Sequence, residues 1–310
     1  MKFALVFPGQ GSQSVGMLTA YGDAAPIRET LAEASDALGL DLAAMIVAGP
    51  ADLLNQTVNT QPAMLAAGVA VYRLWQSQGG PVPAMMAGHS LGEYSALVCA
   101  GALGFADAVR LVRLRAEAMQ SAVPEGVGAM AAVLGLEDDA VRAVCAEAAE
   151  GEVLEAVNYN SPGQVVIAGN KAAVDRGCAL AKAKGAKRAL PLPVSVPSHC
   201  ALMRPAAEKL RAALAAIEVK SPLVTVLHNA DVASHVDPDA IRDALARQLY
   251  SPVRWVETVR AFAAQDIGMV AECGPGKVLA GLNKRIVDGL PGLALTDAAA
   301  LADAMAKLKA

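Results

Sequence analysis

The sequence predicts an α/β protein built on a parallel sheet, with a small second domain inserted into the chain. Short apolar runs alternate with helical stretches through the first 125 residues, which is typical of a parallel sheet covered by helices. The middle of the chain changes to a βαββαβ order, and the first pattern resumes after residue 196. With 310 residues, 55% of them hydrophobic, the chain is long enough to bury a sizeable core.

The predicted large domain covers residues 1–125 and 197–310. Its first strand is the apolar run 2–7, which is closed by Pro8 and Gly9. A helix is expected over 60–78, since Thr, Gln and Pro precede an apolar stretch that stops at two glycines. The other predicted elements are strands at 83–87, 224–228 and 269–273 and helices at 93–102, 107–120, 204–217, 238–248 and 253–265.

The predicted small domain covers residues 126–196. Its expected elements are strands at 128–134, 153–159, 164–168 and 187–192 and helices at 137–149 and 171–184. This βαββαβ order is the split βαβ arrangement of ferredoxin-like domains. Pro191, Pro193 and Pro197 stiffen the return to the large domain, because a residue before proline is driven to extended conformations. We therefore expect an inserted ferredoxin-like domain and a cleft at the seam.

The composition argues against several classes of protein. The net charge is -4 and aromatic residues make up 4% of the chain, so no nucleic-acid surface is indicated. No apolar run reaches the roughly 18 residues of a transmembrane helix, and the N-terminal run is too short for a signal-peptide core. The five cysteines form no C-x-x-C pair, which favours free thiols over a zinc or redox site. We expect a cytoplasmic protein that binds neither nucleic acid nor membranes.

The segment 88–92, GHSLG, fits the pattern G-x-S-x-G. It lies between a predicted strand and a predicted helix, which is the context of the nucleophile elbow of α/β-hydrolases. The glycines permit a sharp turn in which larger side chains would collide, and the serine projects at the helix N-terminus, where the dipole favours negative charge. The sequence predicts Ser90 as a nucleophile on an α/β-hydrolase-like large domain. The alternative is a serine that only caps the helix.

A serine nucleophile needs a base, and the chain has four histidines. His89 is adjacent to the serine, so its side chain should point away, and His235 lies in a polar loop. His199 follows Pro197 at the seam of the predicted domains, where a cleft is expected. His199 is therefore favoured as the base, with His228 at a predicted strand end as the alternative.

The first turn, FPGQG at 7–11, could be taken for a phosphate-binding loop. It begins as G-x-G, but Ser14 stands where the dinucleotide fingerprint has Gly or Ala, and no fitting acidic residue follows. Dinucleotide binding is not indicated. Glycines let backbone N–H groups approach a substrate closely, so such a turn beside an elbow suits an oxyanion hole.

Five segments, in order along nearly the whole chain, resemble the bacterial malonyl-CoA:acyl carrier protein transacylases. They are FPGQG at 7–11, GHSLGE at 88–93, VPSHC at 196–200, QLYSPVRW at 248–255 and ECGPG at 272–276. None departs from the family pattern. The resemblance implies an acyltransferase that moves malonyl from coenzyme A to the phosphopantetheine thiol of acyl carrier protein through a malonyl-serine ester, for fatty acid biosynthesis.

The resemblance also implies roles for individual residues. Ser90 would be acylated, and His199 would be its general base. The main-chain N–H groups of Gln10 and Leu91 would form the oxyanion hole. Such a reaction has ping-pong kinetics and uses no metal or redox cofactor, since the coenzyme A thioester is a substrate.

Two further residues match family positions. Arg115 matches the arginine that holds the malonyl carboxylate; without the family it would be interpreted as a charge on an amphipathic helix, because Arg110 and Arg113 are close in sequence. Gln248 matches the residue whose main-chain carbonyl orients the histidine in place of an Asp. Its alternative interpretation is a residue near the end of a helix.

The partners expected from the resemblance are malonyl-CoA and acyl carrier protein, and a monomer is expected. Acyl carrier proteins are acidic, and the densest positive run is KAKGAKR at 182–188. We hypothesise that part of this run docks the carrier. The alternative is a solvated helix end favoured by its dipole.

Two other classes of function remain open from the sequence. A serine esterase or thioesterase with the same elbow would favour an Asp or Glu partner for His199, and a non-catalytic binding module would form no adduct on Ser90. Malonyl transfer for polyketide synthesis or malonate decarboxylase is not separated from the fatty acid role.

Overall fold

The computed structural model describes residues 1–194 and 196–309. The strands are β1 Phe3–Phe7, β2 Met85–Gly88, β3 Gly128–Leu134, β4 Leu154–Ser161, β5 Gln164–Asn170, β6 Arg188–Pro191, β7 Thr225–Leu227, β8 Met269–Glu272 and β9 Gly292–Ala294. The α-helices are α1 Ala25–Leu38, α2 Leu42–Ala48, α3 Ala51–Leu54, α4 Thr57–Ser77, α5 Gly92–Cys99, α6 Phe105–Ala122, α7 Asp138–Ala149, α8 Lys171–Ala183, α9 Arg204–Ala215, α10 Pro238–Gln248, α11 Trp255–Ala264, α12 Val278–Asn283 and α13 Ala298–Lys309. Each strand and helix predicted from the sequence has a counterpart here.

The central sheet has the strand order β7-β2-β1-β8-β9, and all of its neighbouring strands are parallel. Successive residues of β1 point to opposite faces, so that Leu5 and Phe7 enter one hydrophobic core while Ala4 and Val6 enter another. Helices α1, α4, α5, α6, α9 and α10 cover the first face, and α11 and α12 cover the second. A parallel sheet covered on both faces needs strands that are apolar throughout. The predicted parallel sheet is confirmed.

Helix α4 begins at Thr57, three residues before the predicted start, and carries Pro62 inside it. Proline has no N–H, so the carbonyl of Val58 lacks the donor that residue 62 would supply. Arg113 Nη1 donates to that carbonyl at 3.2 Å. A side chain from α6 thus compensates for the proline, which explains why the helix can extend beyond the start that Pro62 indicated.

A separate antiparallel sheet has the strand order β4-β5-β3-β6. One face packs against α7 and α8 through a core that includes Val133 and Ile167. The other face carries Met130 and Val166, which pack with Cys200, beyond the last strand of this sheet. The small unit therefore turns its helix-free face towards the central sheet.

The chain enters and leaves this small unit at one place. A Cβ on Gly128 would lie only 2.5 Å from the Pro197 ring, so the entering and leaving segments are in close contact. Beside them, the N–H of Tyr159 donates to the Val253 carbonyl at 3.0 Å, and the N–H of Val253 donates to the Val157 carbonyl at 2.8 Å. These bonds join β4 to the segment before α11 and close one side of a cleft.

Three expectations about the whole chain can be compared with the described residues. Within 1–194 and 196–309, no helix is both long and apolar enough to cross a bilayer. In the same ranges, no three His, Cys, Asp or Glu side chains form a group that could hold a metal ion. All five cysteines are free, and Cys99 alone among them is not fully buried.

Candidate active site

The turn after β2 places Ser90 at the N-terminal end of α5. Ser90 has a φ of 52°, in the left-handed region that costs free energy for a residue with a side chain. The flanking glycines provide space for this turn: a Cβ on Gly88 would lie 1.8 Å from the carbonyl carbon of Gly92, and one on Gly92 would lie 2.0 Å from the Phe7 oxygen. The turn has the strand-turn-helix geometry of a nucleophile elbow.

The side chain of Ser90 meets that of His199. Ser90 Oγ and His199 Nε2 are 2.7 Å apart, and His199 Nδ1 is 2.8 Å from the main-chain oxygen of Gln248. Because a carbonyl only accepts, Nδ1 carries the ring proton and Nε2 can accept the proton of the serine hydroxyl. His199 also has a positive φ, 67°, and backbone strain of this kind clusters at active sites.

The imidazole of His199 is held in its neutral form. Burial, together with the nearby charge of Arg115, lowers the pKa of His199 to about 3, although the hydrogen bond to the Gln248 carbonyl opposes this shift. A neutral imidazole is the form that accepts a proton. At neutral pH this ring is therefore suited to act as a base.

The other three histidines make different contacts. His89 Nε2 is 2.8 Å from Asn160 Oδ1, and its ring lies beside Trp255. His228 is fully buried with Nδ1 2.7 Å from Glu93 Oε1, and His235 pairs with Asp231. The alternative base considered from the sequence, His228, is thus bonded to a carboxylate, whereas His199 reaches the serine.

Arg115 brings a positive charge next to the serine. It is 1% exposed, its Nη1 donates to Gln61 Oε1 at 2.8 Å, and its Nη2 donates to Gln248 Oε1 at 3.0 Å. Nη2 also lies 3.4 Å from Ser90 Oγ. The partners in its two shorter bonds are neutral amides. In the described residues Arg115 Nε has no hydrogen-bond partner. A buried guanidinium that has no carboxylate partner can pair with an anionic group.

The neighbouring arginines on α6 are different. Arg110 pairs with Asp107 and Arg113 with Glu117, and both ion pairs are at least partly exposed. The interpretation as charges on an amphipathic helix therefore fits these two arginines. Arg115 instead points inwards, into the cleft beside the elbow.

The first turn and the elbow lie against each other. A Cβ on Gly9 would lie 2.5 Å from the His89 carbonyl oxygen and 3.7 Å from the Leu91 nitrogen, so only glycine permits this approach. Gln10 and Leu91 both line the cleft. Over 1–194 and 196–309, neither main-chain N–H has an acceptor within the protein. These two groups are available to a substrate oxygen.

The cleft lies between the two sheets and has a volume of about 140 Å³. Its polar side holds Ser90, His199 and Arg115. Its apolar lining includes Met130, Val166, Leu192 and Val194 around the antiparallel sheet and Met119 of α6, and Asn158 of β4 adds a polar group. The seam where the sequence predicted a cleft is therefore where the predicted site residues lie.

Three polar residues at the site were not recognised from the sequence. Gln61 bonds Arg115, Asn229 bonds the main chain of Ser90, and Glu93 bonds Asn229 and Gln248. Asn229 follows β7 at the carboxyl end of the parallel sheet, where ligand sites of such sheets occur, and this position was a usable signal. Gln61 lies inside α4, and the sequence contains no comparable indication that it belongs to the site.

Comparison with known proteins first defines the class. A family model for the acyl transferase domain matches residues 4–296. The malonyl CoA-acyl carrier protein transacylase of Escherichia coli (strain K12) is 62% identical over 305 residues, which is 98% of this chain and 99% of that protein. The chain therefore belongs to the malonyl CoA-acyl carrier protein transacylase family of acyltransferases, and the resemblance seen in its five segments is confirmed.

Solved structures agree over nearly the whole chain. The acyl-carrier-protein S-malonyltransferase from Burkholderia pseudomallei 1710b has a TM-score of 0.97 and 61% identity, covering 99% of this chain and 100% of that one. A malonyl-transacylase in complex with its type II PKS acyl-carrier protein has a TM-score of 0.98 and 55% identity, again covering 99% and 100%.

Proposed function

We propose that this chain transfers malonyl from malonyl-CoA to the phosphopantetheine thiol of acyl carrier protein, which supplies units for fatty acid biosynthesis. The observation that carries the proposal is the buried Arg115 guanidinium, 3.4 Å from the Ser90 hydroxyl and bonded to amides rather than to a carboxylate. A malonyl thioester attacked by Ser90 carries a free carboxylate that can pair with this guanidinium. The names of the similar proteins support the same substrate and acceptor.

In the first half-reaction, His199 Nε2 takes the proton of Ser90 as Oγ forms a bond to the thioester carbon. The oxygen that becomes negative accepts hydrogen bonds from the N–H groups of Gln10 and Leu91. The C–S bond then breaks, His199 returns the proton to the coenzyme A sulfur, and a malonyl-Ser90 ester remains. The second half-reaction runs the same steps with the carrier thiol as nucleophile. Every group named here belongs to the chain or its substrates, so we propose no cofactor.

The role of Gln248 is to orient the base through its main-chain oxygen. A neutral carbonyl keeps Nδ1 protonated, as the Asp of a Ser-His-Asp triad does, but it adds no negative charge beside the ring. This arrangement is consistent with the low pKa of His199. An Asp or Glu partner, which a serine esterase would favour, is replaced here by a peptide carbonyl.

We also propose the domain boundaries and the type of the insert. The large catalytic domain would comprise residues 1–125 and 197–310, and the small domain residues 126–196. The antiparallel order β4-β5-β3-β6, with α7 and α8 on one face, supports a ferredoxin-like domain. A cytoplasmic location is part of the same proposal.

Malonyl transfer for polyketide synthesis is a second candidate. It is favoured by the similarity, at 55% identity, to a malonyl-transacylase solved with a type II PKS acyl-carrier protein. The chemistry at Ser90 would be the same, and only the carrier would differ. Steady-state rates with a fatty acid carrier and a polyketide carrier, measured side by side, separate the two candidates.

The proposed function is tested by intact-mass spectrometry after the protein is mixed with malonyl-CoA. We expect a malonyl adduct on the wild-type chain that disappears on addition of holo acyl carrier protein, with malonyl recovered on the carrier. Release of free malonate at the same rate with and without the carrier would instead identify a thioesterase. Absence of any adduct would favour a binding module.

A further inference from the structure

The main chain of Ser90 is held by two side-chain amides. Its N–H donates to Asn229 Oδ1 at 2.7 Å, and its carbonyl accepts from Gln248 Nε2 at 3.0 Å. Asn229 Nδ2 also donates to the Gly88 carbonyl at 2.7 Å, so this residue bonds both sides of the turn. Such bonds stabilise the left-handed conformation that presents the nucleophile.

One carboxylate bonds to both residues, through the main chain of Asn229 and the side chain of Gln248. Glu93, in the first turn of α5, is fully buried. Its Oε2 accepts from the N–H of Asn229 at 2.9 Å and from Nε2 of Gln248 at 2.8 Å. Because a carboxylate only accepts, it fixes the Gln248 amide with the nitrogen towards Ser90.

The same orientation determines what Arg115 meets. With its nitrogen towards Glu93, the Gln248 amide turns Oε1 to Arg115 Nη2 at 3.0 Å. A flipped amide would present N–H groups to a guanidinium that has only donors, and the bond would be lost. Burial lowers the pKa of Arg115, and the charge of Glu93 is among the groups that oppose this shift.

We propose that Glu93 is a positioning residue that aligns the nucleophile and the carboxylate-binding arginine together. It acts through Asn229 and Gln248 rather than on the reacting atoms. One carboxylate would thereby couple the rate of acylation to the selection of malonyl. The inference rests on the proposed function, because it takes Ser90 as the acylated residue and Arg115 as the malonyl site.

A second buried glutamate, Glu272, provides a control for Glu93. Glu272 is also fully buried, and it ends the strand β8, two positions from β2 in the central sheet. Its Oε2 accepts from the N–H of Ala280 at 2.8 Å, in a contact that does not involve the elbow. Truncating either glutamate leaves buried hydrogen-bond donors unpaired and costs stability, so Glu272→Ala controls for the loss of a buried glutamate that does not contact the elbow.

The experiment measures the rate constant of malonyl-Ser90 formation by rapid quench and intact mass, together with kcat/KM for malonyl-CoA and acetyl-CoA. It is run below the unfolding transition of every variant. We expect Glu93→Ala to acylate about 10²-fold more slowly, the typical cost of a misplaced reacting group. The ratio of kcat/KM for malonyl-CoA to kcat/KM for acetyl-CoA should fall as well. A smaller folded fraction would instead lower kcat/KM for both thioesters equally and leave the ratio unchanged. Glu272→Ala should keep the wild-type ratio.

Glu93→Gln should rescue both readouts. A Gln oxygen in the place of Oε2 still accepts from Asn229 and Gln248, and its amide group then faces His228, whose ring can change tautomer to accept. If Glu93→Ala does not fold, Gln248→Met provides the second test, since it keeps the main-chain carbonyl for His199 but removes the amide beside Arg115. We expect the same fall in the malonyl-to-acetyl ratio.

Three results would overturn the inference. The first is a folded Glu93→Ala with the wild-type acylation rate and malonyl-to-acetyl ratio. The second is a fall in that ratio in Glu272→Ala equal to the fall in Glu93→Ala, and the third is an unchanged ratio in Gln248→Met. A wild-type protein that forms no malonyl adduct would overturn the proposed function and this inference with it. A normal wild-type adduct with unaffected variants would overturn the positioning role alone.

Discussion

The two sheets contribute different things to the cleft. The parallel sheet brings polar groups to the carboxyl ends of its strands, where Gln10 follows β1, Ser90 follows β2 and Asn229 follows β7. The antiparallel sheet contributes mainly apolar side chains such as Met130 and Val166, together with one amide, Asn158. Ligand sites of open α/β sheets lie at the carboxyl ends of the strands. We therefore expect chemistry to depend on the large domain, and access and fit to depend on the small one.

The largest expected effect is loss of the covalent intermediate. Ser90→Ala should give no malonyl adduct by intact mass, because it removes the attacking oxygen. His199→Ala should slow adduct formation by about 10²- to 10⁴-fold, the usual contribution of a general base. Circular dichroism should show both variants folded. An undiminished malonyl adduct in Ser90→Ala would refute the nucleophile assignment.

The next largest effect concerns the charge beside the serine. Removing one partner of a desolvated charge pair costs about 2 to 5 kcal/mol, so Arg115→Ala should lower kcat/KM for malonyl-CoA by roughly 30-fold to several thousand-fold. Acetyl-CoA has no carboxylate to lose and should suffer less, since the variant also removes a buried charge that acetyl leaves unpaired.

The control for this variant is Arg110→Ala, which removes an exposed, ion-paired arginine from the same helix. It should leave kcat/KM for both thioesters near wild type. A parallel fall for malonyl and acetyl in Arg115→Ala would mean that the arginine supports the fold rather than binding the carboxylate.

The low pKa of His199 makes a prediction about pH. Since the pKa of His199 is about 3 in the folded protein, against 6.5 for an unperturbed ring, its neutral fraction hardly changes between pH 7 and about pH 5. The rate constant of Ser90 acylation should therefore stay flat over this range. A decline with a midpoint near pH 6.5 would show that the base titrates normally.

The same shift affects stability. Between these two pKa values the unfolded chain binds a proton at His199 and the folded chain does not, so the free energy of unfolding falls as the pH is lowered from about 6.5 towards 3. His199→Asn lacks this proton uptake, so its melting temperature should fall less than that of the wild type between pH 7 and pH 5. Equal losses would contradict a depressed pKa.

Much of the fold followed from local patterns, because strands such as β1 and the helices of the small unit have clear periodicity and clear ends. The sequence analysis predicts no helix at α1, although Pro26 lies at its start and Gly39 follows it in the left-handed conformation, which are ordinary helix boundaries. Glycine spacing predicted the elbow at Ser90. The roles of the six site residues remain predictions supported by their geometry.

The contacts of the site were harder to predict than its position. Asn229 is 139 residues from Ser90 along the chain, and an amide gives no indication of its distant partner. Arg115, however, shares a helix face with the buried Val112 and Met119, at the spacing of three to four residues that places side chains together. A charge on the apolar face is a signal that could have marked Arg115 without the family.

The smallest expected effect concerns the positive run 182–188. A run that docks the carrier is expected beside the cleft, but its first part lies at the end of α8, which packs on the face of the antiparallel sheet opposite to the cleft. Lys184 is also paired with Glu147. We now expect the double variant Lys182→Glu, Lys184→Glu to change the KM for acyl carrier protein only through the general field of the protein.

The comparison that decides this is with Lys307→Glu, Lys309→Glu on α13, which changes the net charge by the same amount at another exposed position. Both double variants should raise the carrier KM equally and modestly at low salt, and the difference from wild type should vanish as salt screens the field. Self-acylation by malonyl-CoA should be unchanged in both. A distinctly larger, salt-sensitive rise in the α8 variant would instead mean that the carrier reaches the back of the small unit, and that the antiparallel sheet binds the protein partner as well as lining the cleft.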